Sequence, residues 1–404
     1  MVISAVVALL AVDWIFMRVL KIAMVKGLVD NPDARKLQKR PVPVLGGIAV
    51  FFGLVCGLLT FAATGSLCDD AVVRVSNMLC LAQLLPIALC GSVMLYVGSL
   101  DDVLGLTPVT RIVIEVLTIL GLIYGSGMCI DSFHGLWGIH AISWWMAVPL
   151  TVFAGVGLIN AYNMVDGVNG LSSGLCTVCS LMLAEICWKR GDYADCALAM
   201  SFAGALVPFL AHNVFGKYSK MFIGDGGTMV MGILVTWFVI RVLSSDNAET
   251  IEGLAAKDLE LGVVAMMLAV ASVPVFDTLR VMAGRIKNGV SPFHADKTHL
   301  HHAFIAAGFS HLITALSEIM INLTVVAVWY VVYRLGASIE VQLYVVIASA
   351  LVLVWGTYFF LNRVVKKHPD SRLLVWSKNT HLGHTNWWQA YQRWLDKGAY
   401  VEGE

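Results

Sequence analysis

Eleven long apolar runs leave this chain almost one way to fold. They cover roughly residues 2–24, 45–64, 77–98, 111–130, 144–160, 170–188, 195–213, 227–243, 260–280, 312–334 and 340–362. About 20 mostly apolar residues carry a helix across a bilayer, and a helix satisfies its own backbone there without help from water. The runs are too long, and too uniformly apolar, for barrel strands. Composition agrees: 58% of residues are hydrophobic, 13% are charged and the mean hydropathy is +0.79, whereas a soluble domain carries about 25% charged residues. So little charge covers neither a soluble surface nor a disordered chain. Nine cysteines among 404 residues are too sparse for a disulfide scaffold. The Cys176-x-x-Cys179 pair falls inside an apolar run and suits packing better than redox or zinc chemistry. The 27 basic and 27 acidic side chains cancel, so nothing points to nucleic acid as a partner. The expected fold is an all-α polytopic integral membrane protein of about eleven transmembrane helices. Short apolar runs are ambiguous, so ten to twelve remain compatible. The first run lacks a basic leader and a cleavage signature, and reads as a retained helix. No internal repeat is evident.

The loops fall into two alternating sets. One comprises 25–44, 99–111, 161–169, 214–226, 281–311 and the tail from 363, and carries 18 Lys and Arg residues; the other set carries 4. Positive charge stays on the cytoplasmic side. The expectation is therefore an amino terminus outside, a carboxyl terminus in the cytoplasm, a membrane domain over 1–362 and a cytoplasmic or interfacial tail over 363–404. The tail mixes Trp376, Trp387, Trp388 and Trp394 with basic residues. That mixture suits the headgroup interface and equally a tail packed on the protein.

The polar residues gather on the side assigned to the cytoplasm. Asp101 and Asp102 close the third run, and Asn160-Ala-Tyr-Asn163-Met-Val-Asp166-Gly-Val-Asn169-Gly follows the fifth. Gly224-Asp225-Gly-Gly opens the eighth, and His299-Leu-His301-His302 follows the ninth. Polar groups held near lipid are costly and mark function by default. Asp225 precedes a helix, where free N–H groups and the dipole favour phosphate and a carboxylate can hold a phosphate-bridging Mg²⁺; a plain helix cap remains the alternative. Adjacent acids on a helix point about 100° apart, which suits Asp101 and Asp102 to different roles, one near a metal or attacking group and one orienting a basic side chain. The alternative is a solvated acid pair at a helix end. Asn163, Asp166 and Asn169 recur every three residues among glycines. Their amides suit a nucleobase or an acetamido group, and they equally suit ordinary turns. Adjacent His301 and His302 fit a single zinc ion poorly, even with His294 and Asp296 nearby, and suit phosphate or sugar contacts better. Arg285, Lys287 and Lys297 in that loop, and Arg111 at the start of the fourth run, would draw a polyanion; headgroup snorkelling and the positive-inside bias explain them as well.

Five segments in order over about residues 30–310 carry a resemblance: Asp30-Asn-Pro-Asp-Ala-Arg-Lys-Leu with Pro41-Val-Pro-Val-Leu-Gly-Gly; Gly98-Ser-Leu-Asp-Asp; Asn160-Ala-Tyr-Asn-Met-Val-Asp-Gly; Phe222-Ile-Gly-Asp-Gly-Gly; and Ser291-Pro-Phe with His299-Leu-His-His and Ala307-Gly-Phe. The chain resembles the polyprenyl-phosphate N-acetylhexosamine-1-phosphate transferases, most of all the bacterial undecaprenyl-phosphate GlcNAc-1-phosphate type. The resemblance implies an enzyme of the bacterial cytoplasmic membrane with its site facing the cytoplasm. It would move GlcNAc-1-phosphate from UDP-GlcNAc to polyprenyl phosphate and release UMP, with Mg²⁺ or Mn²⁺ as cofactor. The partners implied are a UDP-N-acetylhexosamine and the polyprenyl phosphate lipid, and a homodimer is compatible. By resemblance Asp225 is the principal metal ligand and Asn163 a second. Asp101 and Asp102 form the essential acidic pair, with Asp166 counted beside them as catalytic. Arg111 meets the diphosphate and Asn169 the nucleotide, while Arg285, His299, His301 and His302 belong to the loop that closes on sugar and diphosphate. The same reaction on another UDP-HexNAc is the nearest alternative. A transporter is the alternative of another class, although transporters place ionisable residues near the midplane, often in inverted repeats.

Overall fold

A computed structural model describes residues 1–31, 40–67, 81–245, 260–292 and 297–399. Arg35, Lys36, Gln38, His294, Asp296 and the first residues of the run at 77–98 lie outside the described residues. Among the described residues the architecture is all-α apart from an isolated bridge between Ser132 and Ala141 and one two-residue ladder, in which β1 (Val29–Asp30) pairs antiparallel with β2 (Val42–Pro43). Among the described residues, ten continuous helices are long and apolar enough to cross a membrane. An eleventh span would be a bent pair. The helices are α1 (Val2–Lys26), α2 (Gly46–Ser66), α3 (Leu85–Leu104), α4 (Pro108–Ser126), α5 (Trp144–Val165), α6 (Leu171–Arg190), α7 (Tyr193–Phe215) and α8 (Gly224–Leu243). The bent pair is α9 (Val263–Val270) and α10 (Ser272–Lys287). A short helix, α11 (Leu300–Ala306), and then α12 (His311–Arg334) follow. The last span runs through α13 (Ile339–Ala350) and α14 (Gly356–Lys367), past the expected limit at 362. The tail adds α15 (Arg372–Lys378) and α16 (Asn386–Leu395).

The chain divides into two compact units. The first holds residues 1–114, 172–234 and 382–404; the second holds 115–171 and 235–381. In the first, α1, α2 and α7 pack together through small residues. Side chains at Gly53 and Gly204 would collide with Val12 and with the Ala5 carbonyl, and Gly57 faces Ser201. Inside lipid no hydrophobic force draws helices together, so close backbone approach through small residues replaces it.

In the second unit, the expected single run at 260–280 breaks at Ala271, where α9 and α10 meet at 76°. Pro274 explains the break. It has no N–H for the carbonyl of Val270 four residues earlier. Asn322 on α12 supplies what is missing: its Nδ2 donates to Val270 O at 3.0 Å, and its Oδ1 accepts from Val273 N and from Ser272 Oγ, both at 3.0 Å. All of these groups are buried. Replacing Asn322 with Leu orphans buried backbone groups at about 1–3 kcal/mol each. We expect Asn322→Leu to lower the unfolding midpoint in detergent clearly, and an unchanged midpoint would show that the break holds itself.

Candidate functional site

The polar side chains of the first unit converge where α3, α4 and α8 have their ends. Glycines bring the backbones together there. A Cβ on Gly98 of α3 would strike the backbone of Gly226, and one on Gly47 of α2 would strike that of Gly227. The glycines of Gly224-Asp225-Gly-Gly thus let these helices approach one another closely. Gly224 itself sits at φ +73°, a left-handed conformation that glycine adopts without strain.

Asp101 and Asp102 face different partners, as their angular offset on a helix requires. Asp101 Oδ1 accepts the Leu106 N–H at 2.7 Å, and Oδ2 lies 3.3 Å from Arg111 Nη1. Asp102 Oδ2 accepts the N–H of Asp225 at 2.9 Å, and the carboxylate also takes that of Gly226. The amino terminus of α8, expected to receive a phosphate, therefore receives Asp102. The Asp225 carboxylate stays about one-third exposed, 3.6 Å from Arg111 Nη1. One guanidinium is thus shared by Asp101 and Asp225. Among the described residues no three His, Cys, Asp or Glu side chains form a ready metal cage. That donor set fits a hard cation completed by substrate phosphates, since Mg²⁺ takes one or two protein carboxylates and dehydrates reluctantly.

The second unit assembles the remaining candidates. Asn163, Asp166 and Asn169 lie where α5 ends and the chain turns into α6. The Asn169 N–H donates to His311 Nδ1 at 3.3 Å. Gly167 lies so close to His301 that any side chain there would collide with the imidazole. The rings of His299 and His301 are parallel, 5.5 Å apart, with His302 tilted 4.4 Å from His301. The unit thus brings the amide loop against the histidine helix. Arg285 is buried on α10, donates to the Pro292 carbonyl and lines a cavity of about 260 Å³ together with Arg280, Asn288, Thr298 and Tyr358.

Three side chains important to this arrangement went unnoticed in the sequence. Asp277 on α10 is buried; its Oδ2 accepts from His299 Nδ1 at 2.8 Å, and its Oδ1 from the Leu300 N–H and from Arg280. Arg280 donates in turn to the Thr298 carbonyl and lies 3.5 Å over the Tyr358 ring. Together they pin the start of α11 and fix the orientation of the His299 ring, with Nδ1 turned to Asp277. The spacing Asp277-x-x-Arg280, one helical turn, was the available signal. Glu318 on α12 is buried, and neither of its oxygens has a hydrogen-bond partner among the described residues. An acid in the middle of the run at 312–334 could have flagged it.

Burial, then the neighbouring His302 and His299, holds the His301 imidazole well below its ordinary range, against the opposing charge of Asp277. The folded protein keeps His301 neutral, whereas the unfolded chain takes up its proton near pH about 6.5. The stability this contributes is complete above that pH and is lost as pH falls toward the depressed folded value. We expect the unfolding midpoint to fall between pH about 7 and 5, and His301→Gln to flatten that slope; parallel slopes would contradict the assignment.

Comparison with known proteins bears on what such a site does. Residues 84–243 match the family described as glycosyl transferase family 4. The undecaprenyl-phosphate alpha-N-acetylglucosaminyl 1-phosphate transferase of Escherichia coli (strain K12) is 29% identical over 320 residues, covering 76% of this chain and 78% of that one. The protein of that name from Yersinia pestis is 27% identical over 298 residues, 72% of this chain and 73% of that one. A probable undecaprenyl-phosphate N-acetylglucosaminyl 1-phosphate transferase of Bacillus subtilis (strain 168) is 29% identical over 316 residues, 78% and 80% of the two chains. The family match spans Asp101, Asp102, Arg111, Asn163, Asp166, Asn169 and Asp225 together, so the chain is similar to glycosyl transferase family 4 over the segment that carries these candidates.

Proposed function

We propose that this enzyme transfers GlcNAc-1-phosphate from UDP-GlcNAc to undecaprenyl phosphate, at the cytoplasmic face of a bacterial inner membrane, as the first membrane step of a cell-envelope glycan. The observation that carries the reading is the arginine shared by two carboxylates at the ends of apolar helices. Such a place meets a lipid phosphate whose tail stays in the bilayer and a water-soluble sugar nucleotide. The positive-inside count of 18 against 4 supports the cytoplasmic side.

In the proposed reaction an acceptor phosphate oxygen attacks the sugar-bearing β-phosphorus, the bond to UMP breaks, and UMP leaves with the electron pair. Phosphoryl transfer asks the protein for position and charge neutralisation rather than covalent help. Arg111 neutralises diphosphate oxygens, held in direction by Asp101. A phosphate monoester has a second pKa near about 6, so the acceptor is already largely dianionic at neutral pH. The acidic pair therefore arranges the site more than it removes a proton. Asp225 would hold Mg²⁺ or Mn²⁺. When bound, that ion would stabilise UMP as leaving group by charge on the diphosphate. From the second unit, Asn163, Asp166 and Asn169 are assigned to the donor, with Asn169 at the nucleotide. Arg285, His299, His301 and His302 are assigned to the sugar and diphosphate, with His299 held ready by Asp277.

The test is UMP release by the purified protein with undecaprenyl phosphate, UDP-GlcNAc and Mg²⁺. Release that requires the lipid and stops with EDTA is expected. Release from a different UDP-HexNAc alone would keep the reaction and change the sugar, and substrate flux in liposomes without UMP would favour a transporter. We further expect Asp225→Asn to cut kcat at least about 100-fold, the scale for losing a positioned charge at the transition state, in protein that still folds; near-normal turnover would remove Asp225 as a ligand. Asn169→Asp should change KM for the UDP-sugar, and an unaltered KM would take Asn169 out of the nucleotide site.

A further inference from the structure

The carboxyl-terminal segment lies beyond the last apolar helix and has no part in the chemistry proposed above, yet it is bonded to the loop that delivers Asp225. The contacts all lie within the first unit. Trp387, Trp388 and Tyr391 of α16 surround Phe215, the last residue of α7, with ring centroids 6.4, 4.7 and 5.2 Å away. Gln392 Nε2 donates to the Phe215 carbonyl at 3.0 Å, one of the acceptors that a helix end leaves without a partner. At the end of α16, a single atom, Asp396 Oδ1, accepts four hydrogen bonds. They come from the backbone N–H groups of Lys217 and Tyr218 at 3.1 Å, from that of Ser219 at 2.9 Å and from Ser219 Oγ at 2.8 Å. Successive N–H groups converging on one point make an anion-binding concavity, and the chain fills it with its own carboxylate.

From Ser219 the loop runs directly to the site. Asn213 Nδ2 donates to Met221 O at 2.9 Å, and Phe222 N donates to Pro43 O at 2.7 Å. Gly46 N and Gly47 N donate to Phe222 O and Ile223 O at 3.0 and 2.7 Å. The next two residues are Gly224 and Asp225. The loop is thus gripped at both ends, by α2 near Asp225 and by the tail near α7. Loops with few such bonds open readily, and a displacement of about 1 Å at a reacting centre can cost about 100-fold in rate.

We propose that Asn386–Asp396 is a positioning element of the transferase site and that Asp396 is its positioning residue, acting through the 217–223 loop on Asp225. The inference rests on the proposed role of Asp225. Asp396→Ala removes the acceptor; Asp396→Asn keeps a carbonyl oxygen in place of Oδ1 and removes only the charge.

The experiment uses the full-length protein in detergent, with steady-state UMP release and amide hydrogen exchange read on the same samples. We expect Asp396→Ala to lower kcat about 10- to 100-fold, with KM for UDP-GlcNAc and for undecaprenyl phosphate within about twofold of the parent values. Exchange should accelerate over residues 216–225 while α1 and α2 keep their protection. Asp396→Asn should recover most of both. Parent-like turnover or parent-like exchange in Asp396→Ala would overturn the proposal, as would an Asp396→Asn variant as impaired as Asp396→Ala, or loss of protection throughout the unit. Exchange needs no substrate, so parent protein that releases no UMP while the 216–225 effect appears would sink the transferase reading and leave the tail's hold on the loop standing.

Discussion

The Asp102 carboxylate at the amino terminus of α8 is the contact on which the first unit's site depends. An α-helix begins with N–H groups that have no partner inside the helix. In a segment built to lie in lipid those groups are expensive to leave unmet. Asp102 meets the ones at Asp225 and Gly226. In doing so it fixes where the Asp225 side chain starts, and it uses the favourable end of the helix dipole to hold an acid beside two other acids. Arg111 then balances Asp101 and Asp225. Glycine contacts between α3 and α8 allow this geometry, because any larger residue at Gly98 would push the two helices apart.

The second unit solves the same problem by other means. A proline breaks the ninth span, and a side-chain amide from α12 restores the hydrogen bonds that the break removes. The bend lets α10 carry Asp277 and Arg280 to the start of the histidine helix. Those two residues bond backbone and imidazole together. In both units, then, an acid, half-buried Asp102 in one and buried Asp277 in the other, takes an N–H at a helix start, and the functional side chain is the one placed by that bond. Both devices use charge where lipid makes it costly, which is why each acid has several donors.

Much of this was legible in the sequence. Periods of about 20 apolar residues gave the helices, since the bilayer sets that length. The unequal duties of Asp101 and Asp102 followed from 100° of helical rotation. The single run at 260–280 concealed a bend, because hydropathy does not register a missing N–H; Pro274 did. That the Gly224-Asp225-Gly-Gly glycines serve helix contact was not legible, because it depends on the partner backbone. Asp277 and Asp396 were missed because His299, which bonds the one, and Ser219, which bonds the other, are distant in sequence. Ser219 is 177 residues from Asp396, and no local pattern encodes such a pairing. Beside the Asp277-x-x-Arg280 spacing, lone acids inside an apolar run or next to tryptophans were the trace.

The central claim is that Asp102 acts through Asp225, so that the two form one device. The most direct test is a double-mutant cycle in single-turnover transfer, comparing Asp102→Asn, Asp225→Asn and the double variant. If the pair acts as a unit, the double variant is no slower than the slower single, as found for residues that work together in other active sites. Losses that multiply would mean that the two acids act independently, and would contradict the account.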